Sequence, residues 1–402
     1  MRSTPCLPVL VATIAGSISS PAPAFALALL PHHIRRYSNH QSSMLPLRAS
    51  SASAPDAAAV AGVTDARSAG LFERTPLIYS APLTELCGGH NPVYLKLDCL
   101  QPSGSFKDRG MGHLCATLAK RGVGRLVSSS GGNAGLAAST VGRKMGMDIS
   151  VIVPETTKSI VLARLRGLGA SVTVHGKNWN EADILAREIV SQSGGDAEYY
   201  VSPYDDPLLW TGHSTAMEEI LEDLRARGKN LGGIVASVGG GGLLCGIFEG
   251  LAQDGGPDAS AAAVVACETD GAAGFDAARK AGRPVTLAGI TSVATSLGAL
   301  EVTESALERA SAHEAGGGRV AQSVCTDAEA IGACVGIAAD HRLLVEPACG
   351  AALAAVYSDR LREKTLAGLE EGSALVVEVC GGSGVDLSLL EGWRKEFLGD
   401  QS

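Results

Sequence analysis

One lysine stands among small residues, in a turn where its amine could act as a nucleophile. Lys107 follows Phe106 in the segment PSGSFKDRG, residues 102–110. A lysine amine becomes nucleophilic only when burial or a neighbouring charge lowers its pKa. Small flanking residues would let another molecule approach this amine, and the Phe106 ring could pack behind a planar ligand. A single lysine of this kind is usually a surface residue, so the prediction depends on other parts of the chain.

A glycine run predicts a site for a phosphate group. Residues 237–244 read SVGGGGLL, so that Gly239–Gly242 separate an apolar strand from the start of a helix. Backbone N–H groups in such a turn can converge on an anion, and the helix N-terminus adds a favourable field. The sequence matches neither a P-loop nor the GxGxxG dinucleotide pattern. A flexible loop is the alternative, although apolar residues adjoin both sides of the run.

Two further turns also follow apolar segments. Residues 128–135 read SSSGGNAG, and their side chains and helix N-terminal amides would suit a carboxylate. Ordinary helix capping is the alternative for this turn. Residues 379–384 read VCGGSG, which puts Cys380 at the end of a strand. There the thiol could contact a ligand, although a cysteine in such a place is more usually a core residue.

The elements that must position these turns follow a regular alternation from Leu71 onward. Strands are predicted over residues 93–97, 126–128, 149–154, 172–174, 234–237, 263–267 and 375–379. Helices are predicted over residues 110–120, 134–145, 159–168, 180–191 and 212–227, with another beginning near 243. Such alternation is typical of mostly parallel sheets covered on both faces. The sequence therefore predicts two open α/β units, with ligands beyond the carboxyl ends of their strands.

The amino-acid composition limits the classes of partner and metal site that the protein can have. Of the 402 residues, 46% are hydrophobic and 19% are charged, as in soluble globular enzymes. Residues 1–50 contain four arginines and no acid, so the remainder carries 29 basic and 42 acidic side chains. That excess of acid argues against nucleic acid as a partner. The ten cysteines are scattered without a Cys-x-x-Cys pair, which favours neither a zinc site nor a disulfide framework and indicates a reducing compartment.

Residues 1–70 are interpreted as a leader outside the fold. The segment is rich in Ala, Ser and Pro, and its first acidic residue is Asp56. Such a composition is typical of an organellar transit peptide. Residues 34–38, IRRYS, favour a mitochondrial address, whereas the small residues at 22–26, APAFA, suit a secretory or bipartite plastid leader. A disordered tail without an address, or a start at Met44, remains open and would leave the protein cytoplasmic.

The motifs, in order, resemble one enzyme family. They are PSGSFK at 102–107, SGGN at 130–133, PYDDP at 203–207, GGGG at 239–242, LVEPACGAAL at 344–353 and VCGG at 379–382. From about Leu71 the chain resembles the serine/threonine dehydratases among the fold-type II pyridoxal-phosphate enzymes, close to the animal L-serine dehydratase branch. The resemblance implies a tryptophan synthase β-like fold of two parallel-sheet domains. The larger would comprise residues 71–100 and 207–402, and the smaller residues 101–206.

The resemblance also implies roles for the residues of the motifs. Lys107 would bind pyridoxal 5′-phosphate covalently, and Phe106 would lie against the cofactor ring. The backbone of Gly239, Gly240, Gly241, Gly242 and Leu243 would hold the phosphate. Asn133 would contact the 3′ oxygen and Cys380 the pyridine nitrogen. The substrate side would comprise Ser130, Gly131, Gly132, Asn133 and Tyr204, with the turn receiving the carboxylate.

The implied activity is β-elimination from L-serine or L-threonine, releasing ammonia with pyruvate or 2-oxobutyrate. The resemblance also implies a monovalent cation, expected to be potassium, and a second copy of the chain in a homodimer. It implies no nucleic acid and no membrane as partners. The cation shell would comprise the Glu268 carboxylate and backbone oxygens near Gly239, Ala272, Leu297 and Ala299.

Some residues depart from the family pattern and keep alternatives open. Asp108 is more typical of threonine synthases, and Gly131 stands where some serine dehydratases have alanine. Threonine synthase and serine racemase on the same fold are therefore the rival activities. Racemases usually carry Gly-Asn-His-Gly, whereas residues 132–135 here are GNAG. A catalytically idle amino-acid sensor is the rival of another class, and the retention of Lys107 with all three turns argues against it.

Overall fold

The computed structural model describes residues 63, 65–193 and 197–399. The predicted targeting segments within residues 1–62 lie outside this range. Residues 65–70, which the sequence assigns to the leader, belong to the folded body. Ala66 is fully buried, and the guanidinium of Arg67 donates a hydrogen bond of 2.8 Å to Glu218.

The described body contains ten strands and, from Ala81 onward, fourteen α-helices. The strands are β1 (Leu77–Tyr79), β2 (Val93–Lys96), β3 (Arg125–Ser128), β4 (Asp148–Val153), β5 (Ser171–Val174), β6 (Glu198–Val201), β7 (Leu231–Ser237), β8 (Ala263–Thr269), β9 (Arg319–Cys325) and β10 (Ala374–Glu378). The first seven helices are α1 (Ala81–Leu86), α2 (Lys107–Lys120), α3 (Asn133–Met145), α4 (Ser159–Gly167), α5 (Trp179–Gln192), α6 (Pro207–Ala226) and α7 (Gly242–Asp254). The remaining helices are α8 (Pro257–Ala261), α9 (Gly274–Ala281), α10 (Glu304–Ala315), α11 (Asp327–His341), α12 (Pro347–Tyr357), α13 (Asp359–Leu366) and α14 (Leu387–Leu398).

The strands form two sheets, which define a large and a small lobe. The large sheet has the order β1-β2-β10-β7-β8-β9, and only its β1–β2 pair is antiparallel. Every residue of β8 and β10 is buried, as expected for parallel strands covered on both faces. The small sheet has the order β5-β4-β3-β6 and is wholly parallel, and all its strands lie within the predicted range 101–206.

The predicted α/β architecture with mostly parallel sheets is confirmed, with differences at element ends. Strands β1, β6 and β9 were not predicted. Helix α2 begins at Lys107 rather than at Gly110. Helix α6 begins at Pro207 rather than at Gly212, because the Asp206 carboxylate caps it by accepting from the Leu208 amide at 2.8 Å. Within the described chain, no helix is long and apolar enough to cross a membrane.

The described cysteines fit the prediction that most of them behave as small apolar residues. All nine cysteines in the described ranges are free, and every one except Cys99 is buried. Burial raises the pKa of the Cys115 thiol to about 12, so this side chain stays neutral in the core.

A buried ionic network fastens helix α2 to the large sheet. The guanidinium of Arg109 donates to Asp98 through Nε and Nη2, both at 2.7 Å, and to Glu219 through Nη1 and Nη2, both at 2.8 Å. Lys96 on β2 also donates to Glu219, at 2.6 Å. Burial alone would raise the pKa of Asp98, but Arg109 lowers it to about 2. Because Arg109 lies in the first turn of α2, these contacts restrain the helix start at which Lys107 stands.

Candidate active site

Each predicted site motif follows the carboxyl end of a parallel strand. In the large sheet, the neighbouring strands β2, β10 and β7 lead to the lysine turn, the Cys380 turn and the glycine run respectively. In the small sheet, the neighbouring strands β3 and β6 lead to the Ser130 turn and to the segment with Tyr204. Carboxyl ends of parallel strands share one edge of a sheet, so the topology itself gathers the motifs of each lobe.

Lys107 is the first residue of α2, and its amine lies among groups from both lobes. Its Nζ donates a hydrogen bond of 2.6 Å to the carbonyl oxygen of Pro203, which follows β6. Desolvation lowers the pKa of the Lys107 amine from 10.5 to about 8, although negative charge at Cys380 and Glu346 would act in the opposite direction. The Lys107 amine therefore loses its proton at a lower pH than an ordinary lysine amine does.

Backbone hydrogen bonds join the lysine turn to the Cys380 turn. The Phe106 amide donates to the Cys380 carbonyl at 3.1 Å, and the Gly382 amide donates to the Gly104 carbonyl at 2.9 Å. The Cys380 thiol is buried, and its contact with the Cys349 thiol together with burial raises its pKa well above the ordinary value. The group is therefore a neutral thiol held next to the lysine.

The glycine run has the shape of an anion cradle. Gly241 adopts a φ of +94°, which favours glycine, and α7 begins at the next residue. A Cβ on Gly240 would lie 2.2 Å from the Tyr204 ring, and one on Gly242 would lie 2.6 Å from the Tyr204 carbonyl oxygen. Only glycine fits beside Tyr204 at these positions. The amides of the first turn of α7 have no acceptor within the helix, so the run fits a phosphate group.

The Ser130 turn folds tightly over the start of α3. A Cβ on Gly135 would lie 1.8 Å from the Ser130 carbonyl oxygen, so the turn requires glycine there. The Ser130 hydroxyl accepts from the Gly132 amide at 3.3 Å, and Gly132 itself is exposed at the N-terminus of α3. No side chain caps this helix end, which leaves its amides suited to a carboxylate. Gly131 packs against Val153. A Cβ on Gly131 would lie 3.2 Å from the Val153 side chain.

Asn133, at the start of α3, links the two lobes. Its Nδ2 donates to the Glu346 carboxylate at 2.8 Å, and its Oδ1 accepts from the amide and the hydroxyl of Ser383, both at 2.9 Å. The turn of the small lobe is thereby tied to the loop after β10 and to the residue before α12.

A buried histidine lies behind Phe106. The rings of Phe106 and His213 are 4.9 Å apart and tilted by 56°, and the Lys107 ammonium lies 5.0 Å from the Phe106 ring centre. Gly110 and Gly246 make room for His213, since a Cβ on Gly110 would lie 2.5 Å from its ring and one on Gly246 would lie 2.4 Å from its Cβ. Burial, and next the charge of Lys107, lowers the pKa of His213 well below its ordinary value. The imidazole is therefore neutral and places no charge beside the lysine.

Of the residues that the resemblance implies for a cation site, Gly239, Leu297 and Ala299 lie close together, and Glu268 caps the start of α9. Both oxygens of Glu268 accept backbone N–H groups at the start of α9, from Phe275 at 2.7 Å and Asp276 at 2.8 Å. Burial raises the pKa of Glu268 to about 7. A Cβ on Gly239 would lie 3.4 Å from the carbonyl oxygen of Leu297, which itself accepts from the Ala299 amide at 2.8 Å.

Ala272 lies in a short 3₁₀ turn directly after β8 and is buried. In the described ranges, no group of three or more His, Cys, Asp and Glu side chains is arranged to hold a metal ion.

Three groups of the site had no role in the sequence analysis. Pro203 begins the PYDDP motif, but nothing in that motif identifies its backbone carbonyl as a hydrogen-bond acceptor for Lys107. His213 also lacks a local signal, because its contacts come from Phe106 and from the helices α2 and α7. Glu346 did carry a signal, since it is an acid within the apolar segment 343–349, LLVEPAC.

A cavity of about 230 Å³ is lined by Trp179, Arg187, Tyr199, Tyr200 and the segment 202–206. Tyr204 is the only predicted site residue among its walls, which include neither Lys107 nor the glycine run. The cavity adjoins the site built around Lys107, because its walls include Pro203, whose carbonyl oxygen accepts from Lys107 Nζ.

A family model described as "Pyridoxal-phosphate dependent enzyme" matches residues 69–381, which include every predicted site residue. The chain belongs to this family. The match agrees with the geometry, because a glycine cradle, a desolvated lysine and a neutral thiol at a strand end suit the phosphate, aldehyde and pyridine nitrogen of pyridoxal phosphate.

Curated relatives within the family are serine and threonine dehydratases by name. The chain is 43% identical over 329 residues to the L-serine dehydratase/L-threonine deaminase of Bos taurus, covering 81% of this chain and 96% of the relative. It is 44% identical to the human serine dehydratase-like protein, and the match covers 78% of this chain and 91% of the relative. It is 40% identical to an L-serine dehydratase of Saccharomyces cerevisiae, and the match covers 78% of this chain and 94% of the relative.

Solved structures show the same fold. A fungal L-serine ammonia-lyase from Rhizomucor miehei superposes with a TM-score of 0.73 at 33% identity, covering 81% of this chain and 99% of that one. Maize serine racemase superposes with a TM-score of 0.71 at 21% identity, covering 84% and 97%, and at that identity it supports the fold alone. The predicted fold-type II pyridoxal-phosphate architecture is thus confirmed.

Proposed function

We propose that this protein is a pyridoxal-phosphate-dependent dehydratase of L-serine and L-threonine. It would convert L-serine to pyruvate and ammonia, and L-threonine to 2-oxobutyrate and ammonia. The names of relatives at 40 to 44% identity support this activity. The observation that carries it in the structure is the buried amine of Lys107, which stands where the strand-end turns of both lobes meet.

The residues of the large lobe would hold the cofactor. The amides of Gly239–Gly242 and Leu243 would bind its phosphate, and Phe106, supported by His213, would lie against its ring. When bound, pyridoxal phosphate supplies the electron sink that makes the substrate Cα–H acidic. Because the Cys380 thiol is neutral and a weak donor, it would leave the pyridine nitrogen without a positive charge. Elimination is then favoured over reactions that need a stronger electron sink.

The residues around the substrate would orient it and move its protons. The turn Ser130–Gly132 would receive the substrate carboxylate at the N-terminus of α3, and Tyr204 would line the site beside it. Lys107 Nζ would accept the Cα proton, a role supported by a pKa of about 8, which makes the free amine available near neutral pH. Substrate and amine held in one site make this proton transfer effectively intramolecular.

The test of this function is product formation by the purified protein loaded with pyridoxal phosphate. We expect pyruvate from L-serine and 2-oxobutyrate from L-threonine, each in equal amount with ammonia. Racemisation of L-serine without pyruvate, or phosphate release from O-phosphohomoserine, would instead indicate serine racemase or threonine synthase. Absence of any turnover in protein that binds the cofactor would favour an amino-acid sensor.

We also propose a potassium site at Glu268, completed by backbone oxygens near Gly239, Ala272, Leu297 and Ala299. The proposal is supported by the approach of Gly239 to Leu297, because Gly239 also begins the phosphate cradle. A cation bound there would restrain the backbone of Gly239 and so hold the phosphate cradle in place. The shell would be made of oxygen atoms, which suits a hard monovalent cation.

Two proposals rest on the sequence alone. We propose a homodimer, which sedimentation velocity of the purified protein would distinguish from a monomer. We propose that the segment before the folded body, residues 1–62, addresses the protein to an organelle, with the mitochondrion favoured over the plastid. Microscopy of residues 1–62 fused to a fluorescent protein would test the address, and a diffuse cytoplasmic signal would contradict it.

A further inference from the structure

Glu346 is a buried acid that the proposed function does not use. It directly precedes α12 in the large lobe, and only 4% of its surface is exposed. A buried carboxylate is costly unless donors surround it. The donors around this one are therefore informative.

The Glu346 carboxylate accepts from both lobes. Oε1 accepts from Asn133 Nδ2 at 2.8 Å, and Oε2 accepts from the Gly384 amide at 3.0 Å, with the Ser296 hydroxyl as a further donor. Gly382 is shaped around it, since a Cβ there would lie 1.9 Å from Glu346 Cδ. Burial raises the pKa of Glu346, and these donors, together with the charge of Lys107, act against that rise. A group surrounded by donors acts as an acceptor.

The contacts leave the Asn133 amide only one orientation. A carboxylate without its proton can only accept, so the NH₂ group of Asn133 must face Glu346. The Ser383 backbone amide can only donate, so Oδ1 must face Ser383. One N–H of Asn133 is used by Glu346, and Nδ2 also lies 3.5 Å from the Ser296 hydroxyl, too far for a strong bond. The second N–H is thus held ready for another acceptor.

We propose that Glu346 is a positioning residue, which fixes the Asn133 amide so that its second N–H can bind the 3′ oxygen of the cofactor. The inference rests on the proposed function, in which Asn133 makes that contact. Because Asn133 belongs to the small lobe and Glu346 to the large one, the same hydrogen bond holds the lobes in register around the cofactor. Glu346 itself does not touch the reacting atoms in this account.

The first test is cofactor affinity, measured by titrating apoprotein with pyridoxal phosphate and following protein fluorescence. Glu346→Gln keeps the shape but turns an NH₂ group toward either Asn133 or Gly384. We expect its Kd to rise about 10- to 100-fold, the loss typical of a hydrogen bond to a charged group. Glu371→Gln is the matched control, because the side chain of Glu371 is 83% exposed in the same lobe, and we expect its Kd to change less than about twofold. An unchanged Kd in Glu346→Gln would overturn the proposal.

The second test asks whether Glu346 acts through Asn133. A double-mutant cycle compares Asn133→Ala, Glu346→Gln and the combined variant in the same titration. We expect the combined variant to bind pyridoxal phosphate no more weakly than Asn133→Ala alone, because Glu346 has nothing left to orient. If the fold-changes in Kd of the two single variants multiply in the combined variant, Glu346 acts independently of Asn133, and the proposal is contradicted.

Two controls keep the result interpretable. Thermal unfolding of each apoprotein reports whether the variant folds. If Glu346→Gln does not fold, Glu346→Asp carries the test, since its shorter side chain withdraws the carboxylate from Asn133 without removing the charge. We expect about a threefold weaker affinity in Glu346→Asp and no further loss when Asn133→Ala is added. Equal affinity of Glu346→Asp and wild type would contradict the proposal.

The outcomes also separate this inference from the proposed function. Wild-type protein that binds pyridoxal phosphate and releases pyruvate, together with an unaffected Glu346→Gln, would refute the positioning role alone. Wild-type protein that binds no pyridoxal phosphate would refute the function on which the inference rests.

Discussion

The Lys107 ammonium donates a hydrogen bond of 2.6 Å to the carbonyl oxygen of Pro203, which follows strand β6 of the small sheet. This bond holds the amine in the site before a cofactor arrives. It also favours the protonated form, which must lose its proton before it can attack an aldehyde. Capture of the cofactor therefore depends on the pKa of this lysine, which desolvation lowers to about 8.

The pH dependence of the rate at which Lys107 binds pyridoxal phosphate covalently should reflect that pKa. The amine becomes neutral as the pH rises through its pKa, so we expect the rate constant for covalent incorporation of pyridoxal phosphate to rise with pH and level off above about 8. Stopped-flow absorbance of apoprotein mixed with cofactor measures it. A rate that continues to rise toward the 10.5 of an ordinary lysine would contradict the desolvated site.

The buried network around Arg109 should contribute strongly to stability. Arg109→Met would leave Asp98 and Glu219 buried without their main partner, and we expect the free energy of unfolding to fall by about 3–5 kcal/mol. Arg74→Met is the matched control, because Arg74 pairs with Glu222 and Asp223 at the surface, where the loss should be at most ~1 kcal/mol. Denaturant unfolding measures both. Equal losses would mean that the network does not anchor α2.

Glu378 should make the protein less stable as pH rises. Its carboxyl oxygens are buried with no hydrogen-bond partner. Burial and then Asp98 raise its pKa well above the ordinary 4.5, although Arg109 and Lys96 oppose the rise. The folded protein thus keeps the proton that the unfolded chain releases above pH 4.5, which costs ~1.4 kcal/mol per pH unit from there up to the folded pKa.

Glu378→Gln removes this titration. We expect the free energy of unfolding of the variant to decrease less steeply than that of wild type between about pH 5 and 8. Urea unfolding at each pH measures the two slopes. Identical slopes would show that Glu378 is ionised in the folded protein.

Potassium should stabilise the protein through Glu268. At a concentration about 100-fold above its Kd, potassium would raise the free energy of unfolding by ~2.7 kcal/mol relative to a large organic cation. Glu268→Gln should lose this response, and Glu371→Gln, with its exposed side chain, should keep it. Thermal unfolding in the two salts at equal ionic strength provides the comparison. A potassium response that survives in Glu268→Gln would exclude the proposed site.

The sequence predicts the local parts of the fold well. Apolar runs such as 263–267 predict their strands because parallel strands are buried on both faces, as β8 is. Strand β6, EYYV, is shorter and only its Val201 is fully buried, so it resembles a loop in sequence. The start of α6 at Pro207 depends on the Asp206 cap, a signal that the apolar pattern alone does not include.

The sequence predicts the site only where chemistry requires a particular residue type. Lys107 and Gly239–Gly242 are recognisable because an amine and a run without side chains have few other uses in a strand-end turn. Contacts made across the fold leave no such pattern. The orientation of Asn133 depends on Glu346, more than two hundred positions away, and only the tertiary structure brings the two together.

The most direct measurement is turnover of L-serine by Lys107→Ala beside wild type, with both proteins saturated with pyridoxal phosphate. Pyruvate formation follows the reaction, and far-UV circular dichroism confirms that the variant folds. We expect wild type to release pyruvate and Lys107→Ala to be slower by at least about 10²–10⁴-fold, the contribution of a positioned proton-transfer group. A folded Lys107→Ala protein that forms pyruvate at the wild-type rate would contradict the account.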